Sequence, residues 1–108
     1  GTGTPRREFL HVDDLASACL VLLQAENPPD WANVGTGEDL QIRELAALVA
    51  DVVGYTGEIL TDPSKPDGTP QKLLDVSLLK SLGWKPQVDL REGILNAYND
   101  FKQSEYRR

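Results

Sequence analysis

REFLHVDDLASACLVLL, residues 7–23, begins as one kind of structure and ends as another. Its first six residues alternate Phe9 and other apolar groups with polar ones, the two-residue period of a short strand. Asp13 and Asp14 then offer an N-cap, and the apolar run from Leu15 to Leu23 follows as a helix that ends near Pro28 and Pro29. Leu15, Ala18, Cys19 and Leu22 share one face of that helix, whereas Leu20, Val21 and Leu23 spread around it. Such a helix wants cover on more than one side and lacks a neighbour if the chain stands alone.

The alternation continues outward from this stretch. Trp31 to Val34 reads as a short strand and Gly35-Thr36-Gly37 as the tight turn after it. Ile42, Leu45, Leu48, Val49, Val52 and Val53 recur at helical spacing, Gly54 stands where a left-handed C-terminal cap belongs, and Gln41 with Glu44 forms a capping box. Glu58 to Thr61 suits another strand. Ser77 caps a short helix from Leu78 to Leu82 that Gly83 ends, Trp84 supplies an apolar anchor, and Asp89 with Glu92 starts a last helix reaching about Ser104. Strands alternating with helices predict an α/β class: a small mixed domain of short strands and about four helices, residues 1–108 forming one unit.

The totals agree with one modest domain. Hydrophobic residues make up 40% of the 108 and charged residues 26%. A formal charge of −6 argues against a general nucleic-acid or membrane-surface binder, since both partners demand a basic face. Cys19 and His11 are the only cysteine and histidine, which excludes an intrachain disulfide and a thiolate- or histidine-rich metal site. With no signal-peptide pattern and no apolar run near the ~20 residues of a membrane span, a soluble cytoplasmic protein is expected. The chain has no methionine at all and opens in what reads as a loop, so a fragment of a longer protein is also expected.

In so acidic a chain, local basic residues carry the information. Arg6 and Arg7 suit a bidentate grip on phosphate oxygens from the edge of a strand, or else a surface ion pair with Glu8 or Asp13. Residues 64–76, SKPDGTPQKLLDV, place Pro66, Gly68 and Pro70 at alternate positions among Lys65, Asp67 and Lys72. The prolines stiffen the loop and favour preorganised binding, Gly68 lets backbone approach a ligand, Asp67 is suited to accept ligand hydroxyls, and Lys72 to face a phosphate. A proline-stiffened surface turn is the plain alternative. Tyr98 and Lys102 have the Tyr-x-x-x-Lys spacing of a catalytic dehydrogenase pair but lie on the terminal helix, with Tyr98 in the apolar stripe, which favours a structural role. Gly35-Thr36-Gly37 fails as a dinucleotide fingerprint because Leu40 stands where its third glycine belongs. His11 reads as a hydrogen-bonded structural histidine in a strand, Cys19 as a small core residue, and Asp13 and Asp14 as one cap and one solvated carboxylate.

GTPRREFLHVDD (residues 3–14), NVGTG (33–37), IRELA (42–46) and SKPDGTPQKLLDV (64–76) together closely resemble the C-terminal part of the GDP-L-fucose synthases, extended short-chain dehydrogenase/reductases. The Arg-x-Phe-x-His-Val-x-Asp run occurs in many nucleotide-sugar enzymes, whereas Ser-Lys-Pro-Asp-Gly-Thr-Pro is far more selective. The resemblance implies the C-terminal, substrate-binding lobe of such an enzyme without its Rossmann domain. It implies GDP-4-keto-6-deoxy-mannose or GDP-L-fucose as partner and NADPH as the cofactor of the whole enzyme, none of it held by this chain. Arg7 matches an arginine on the substrate diphosphate, Asp67 an acidic residue at the nucleotide-sugar site, and Lys72 a lysine on the substrate's phosphate side. Arg6 falls where the family varies, and Gln71 replaces a common arginine, a change that implies weaker binding.

The resemblance places the catalytic residues upstream of the matched segment, so this chain is expected to be catalytically incomplete alone. Two other readings stay open. One is a free-standing remnant that associates with itself, with a Rossmann half or with another partner through apolar surface left bare; the other is the same lobe serving a UDP- or dTDP-sugar.

Overall fold

The computed structural model describes residues 1–104. Its elements run β1 (Arg6–Arg7), α1 (Val12–Gln24), β2 (Leu40–Gln41), α2 (Ile42–Val53), β3 (Gln71–Lys72), α3 (Ser77–Ser81) and α4 (Leu90–Gln103). The three strands form one mixed sheet in the order β2-β1-β3. β1 runs antiparallel to β2, pairing Arg6 with Gln41 and Arg7 with Leu40, and parallel to β3, pairing Arg6 with Gln71 and Arg7 with Lys72. The expected small mixed α/β architecture with four helices is therefore present.

Several boundaries differ from those read in the sequence. The first strand stops at Arg7 instead of reaching Val12, and neither 31–34 nor 58–61 forms a strand. Residues 8–12, 31–34 and 58–61 have no ladder partner beside them, and alternation without a neighbouring strand leaves backbone groups with nothing to pair. The expected surface loop instead supplies β3, because Pro70 accepts the Arg6 N–H at 2.8 Å and brings the chain into register beside β1.

The caps are also reassigned. His11, not an aspartate, is the N-cap of α1, its Nδ1 accepting the Asp13 N–H at 3.1 Å. His11 thus has the structural role expected of it, at a helix start rather than in a strand. Asp14, read as cap or solvated, is 2% exposed, and its two oxygens accept the Gln87 and Val88 N–H groups at 2.9 and 3.0 Å. A buried carboxylate tolerates its desolvation only with such partners, so Asp14 ties α1 to the segment leading into α4. Ser77 is the first residue of α3 rather than its cap, and the Asp75 carboxylate accepts its N–H at 2.9 Å.

α2 conforms to the pattern read in the sequence. The Glu44 carboxylate accepts the Gln41 N–H at 2.7 Å at its start, and Gly54 closes it at φ 76°. α2 packs on α4, which runs from Leu90 to a C-cap at Ser104.

The buried core consists of Ala18, Leu79 and Trp84, with Leu10, Val21, Leu22 and Val34 packed against it. Trp84 contributes area and a polar tip, since its Nε1 donates to Ser17 Oγ at 2.8 Å. Burying Leu79 and Trp84 stabilises the fold by about 2–3 kcal/mol each. The outer surface of α1 stays bare: Val12, Leu15, Leu20 and Leu23 are all exposed, and Cys19 is exposed instead of in the core. A radius of gyration of 16.7 Å, over extents of 51 × 37 × 21 Å, makes the molecule a slab. A compact chain of this length would measure about 13 Å.

Candidate functional site

Alternation along β1 separates the two arginines. Successive side chains of a strand point to opposite faces, so Arg6 and Arg7 cannot close on one phosphate together. β1 is moreover the central strand, not an edge. Arg6 donates from Nε to Asp39 Oδ1 at 2.8 Å and from a terminal nitrogen to the Asp39 carbonyl at 3.2 Å. Gln71, beside Arg6 across the parallel ladder, donates to the other Asp39 oxygen at 2.6 Å. These contacts, Gln71 first and then Arg6, hold the Asp39 carboxyl below its ordinary range. The ion pair considered for Arg6 thus exists, but with Asp39 and not with Glu8 or Asp13.

On the other face lies the basic feature. Arg7 donates from Nη1 to the Arg6 carbonyl at 2.6 Å and to the Thr69 carbonyl at 2.8 Å, which leaves the rest of its guanidinium for other acceptors. Gly68 lies against it: a Cβ there would stand 3.3 Å from Arg7 Nη2. Lys72 is the cross-strand partner of Arg7 and is exposed. Arg7 and Lys72 border an open recess of about 480 Å³ together with Glu8, Leu10, Val34, Gly35, Leu73 and Leu74. Two cations beside the apolar Leu10, Val34, Leu73 and Leu74 suit an anionic group attached to an apolar one, the Glu8 carboxylate on the same recess being engaged by backbone N–H groups.

The remaining sequence candidates lie elsewhere. Asp67 turns away from the recess toward residues 2–5, where its two oxygens accept the Thr2 N–H and the Thr2 hydroxyl, each at 2.7 Å. Those bonds, the hydroxyl first, hold its carboxyl below the usual range. Lys65 is exposed on the outer limb of the loop, its N–H bonded to the Asp62 carbonyl at 3.2 Å. Of the six candidate residues, then, Arg7 and Lys72 share the recess and Gly68 lies against the Arg7 guanidinium outside it, while Arg6, Asp67 and Lys65 lie elsewhere.

The sequence suggests Glu8 only as an ion-pair partner for the arginines. Its carboxylate accepts the Gly37 N–H at 3.0 Å and the Leu74 N–H at 3.1 Å, joining the 35–37 turn to the end of the lysine loop. Gly35 is needed there, because a Cβ would stand 2.6 Å from either Glu8 oxygen. No local signal in the sequence joins Glu8 to this turn, which it meets only through the fold. The Gly37 N–H is already taken by the Glu8 carboxylate, so this turn does not offer it to the pyrophosphate of a dinucleotide. The residues present do not fit the NADPH phosphates here. On α4, Lys102 Nζ lies over the Tyr98 ring, 4.5 Å from its centroid.

Residues 1–35 match the NAD dependent epimerase/dehydratase family. GDP-L-fucose synthase 1 of Arabidopsis thaliana is 54% identical over 99 residues, which cover 92% of this chain and 31% of the plant protein. This chain is a homologue of the GDP-L-fucose synthases. It spans about a third of the length of the relatives it matches. The GDP-L-fucose synthase of Escherichia coli K12 is 47% identical over 116 residues, or 99% of the chain and 36% of the bacterial protein.

Solved structures of a reductase and an epimerase share its fold. A GDP-6-OMe-4-keto-L-xylo-heptose reductase from Campylobacter jejuni superposes with a TM-score of 0.84 at 38% identity, over 94% of this chain and 32% of that one. A UDP-glucose 4-epimerase from Thermotoga maritima, solved with UDP-glucose, gives 0.83 at 30% identity, over 95% and 33%. Among the described residues, no helix is long and apolar enough to cross a membrane.

Proposed function

We propose that the chain is the GDP-sugar-binding lobe of a GDP-L-fucose synthase-like epimerase/reductase, acting in the cytoplasm and catalytically incomplete by itself. The observation that carries this reading is the parallel pairing of Arg7 with Lys72 beside one recess. In it the two cations face the substrate diphosphate, and Leu73 and Leu74 lie against the attached nucleoside or sugar. NADPH and the groups that reduce and epimerise the sugar belong to the remaining two thirds of such a protein, a Rossmann half. The bare outer face of α1 supports that partner, since the family match of residues 1–35 includes this helix.

A GDP-sugar such as GDP-4-keto-6-deoxy-mannose or GDP-L-fucose is favoured over a UDP-sugar. The GDP-heptose reductase is 38% identical to this chain and the UDP-glucose epimerase 30%. Amide shifts of the isotope-labelled chain, titrated with GDP and then UDP at matched ionic strength, test the reading. Saturable shifts at Arg7, Gly68 and Lys72 with GDP are expected, with a Kd near millimolar, about −4 kcal/mol. Equal response to UDP moves the substrate class, and no response from a folded chain removes the binding role.

A second reading rests on the same bare helix. Apolar patches of this kind seldom stay uncovered, and self-association is the other way to cover one. A chain that light scattering finds monomeric at high concentration excludes it.

A further inference from the structure

We infer that Thr2 is a positioning residue for the proposed anion site, and that Asp67 acts on that site through the loop it belongs to rather than by touching a ligand. This rests on the binding role proposed above for Arg7 and Lys72. Both Asp67 oxygens are engaged by one residue 65 positions away: Thr2 donates its N–H to one and its hydroxyl to the other. Thr4 Oγ1 lies 2.8 Å from Thr2 Oγ1 and completes a short hydroxyl chain.

The segment carrying Thr2 is itself held by the start of α2. The Arg43 N–H donates to the Gly3 carbonyl at 2.9 Å and the Ile42 N–H to the Pro5 carbonyl at 3.0 Å. The first turn of a helix has N–H groups without intrahelical partners, and here two of them fix the strap to a rigid element. Before Thr69 the loop on the other side is held from outside by two residues of the strap, Thr2 on Asp67 and Gly1, which donates to the Asp62 carbonyl at 2.5 Å. Residues 54–74 are all exposed, and the bonds of Ser64 and Lys65 are local ones to Asp62.

Position then passes along the chain to the cations. Asp67 precedes Gly68, where a Cβ would stand 3.3 Å from Arg7 Nη2, and Thr69, whose carbonyl accepts from Arg7 Nη1 at 2.8 Å. Pro70 then accepts the Arg6 N–H and opens β3, which places Lys72 beside Arg7. Without the Thr2 clasp the loop samples positions in which Thr69 no longer orients the guanidinium, and the pairing of the two cations is lost with it. Preorganisation of this kind lowers the ordering cost of binding and adds no contact.

Thr2→Val, Thr2→Ser and Asp67→Asn in the same 108-residue chain test the inference by two readouts, hydrogen exchange of the Arg6 amide and the shift titration with GDP. Thr2→Val and Asp67→Asn are expected to speed Arg6 exchange by about 3- to 10-fold, the effect of losing one exposed charge-assisted hydrogen bond. They are expected to weaken GDP by a similar factor, with Thr2→Ser behaving as the parent and the Trp84 and Leu79 amides unchanged. Unchanged Arg6 exchange in both variants overturns the inference. So does weaker GDP binding by Asp67→Asn alone at parental exchange, because Asp67 would then touch the ligand. A parent that does not bind GDP refutes the binding role, while the exchange data alone still decide whether the clasp holds the loop.

Discussion

Asp39 shows how a single residue is specified by its neighbours. It lies between Arg6 and Gln71, two side chains that share a sheet face only because β1 and β3 run parallel in that register. Its carboxyl is held below the ordinary value near 3.9, so its contribution to stability is complete above that value and is lost as pH falls through the folded-state pKa. The urea midpoint is therefore expected to drop on acidification below about pH 4, and Asp39→Asn to drop less steeply over that window. Equal slopes for the two chains would remove Asp39 from the account. Asp62, Asp67 and Asp75 are shifted in the same direction by hydrogen bonds from Ser64, Thr2 and Ser77 and add to the parental slope. The sequence made Arg7 and Lys72 visible because cations are scarce in it, but Asp39 and Glu8 belong to an abundant residue type. Only long-range pairing distinguishes them from the other acids, and one chain without its register does not carry that information.

Helix α2 was legible from its spacing and its two ends, and the reason is that each signal is local. Six apolar positions mark one face, Glu44 sits three residues after Gln41, and Gly54 takes a φ of 76° that other residues adopt only at a cost. Gly54→Ala is expected to cost about 1 kcal/mol by urea denaturation, all of it conformational, because no atom lies within 4 Å of the position a Cβ would take. D-Alanine at the same position, introduced by ligation, is expected to restore the parental midpoint. The strands were not legible in this way. Each contains two residues, and its existence depends on a partner far away in sequence. That dependence is why 31–34 and 58–61 carried a strand pattern without forming strands, while Gln71 and Lys72 formed one inside a proline-rich loop.

At the scale of the whole molecule, the slab shape and the bare face of α1 belong together. Leu20 and Leu23 are 57% and 81% exposed on a helix whose other side is in the core. Leu20→Glu with Leu23→Glu is expected to leave the urea midpoint of the isolated chain within about 0.5 kcal/mol of the parent, as surface changes do. The same pair is expected to lower any concentration-dependent increase in light-scattering mass. A large loss of stability would mean that the face is already covered within one copy. The sheet adds a consequence for the order of synthesis. Its central strand is made first, yet β3, its parallel neighbour, begins 65 residues later at Gln71. At a translation rate of about 5–20 residues per second, Arg6 and Arg7 wait roughly 3–13 seconds before that neighbour exists. During that interval the nascent chain presents an unpaired strand edge and the apolar turns of α1, the kind of transiently bare surface that chaperones shield.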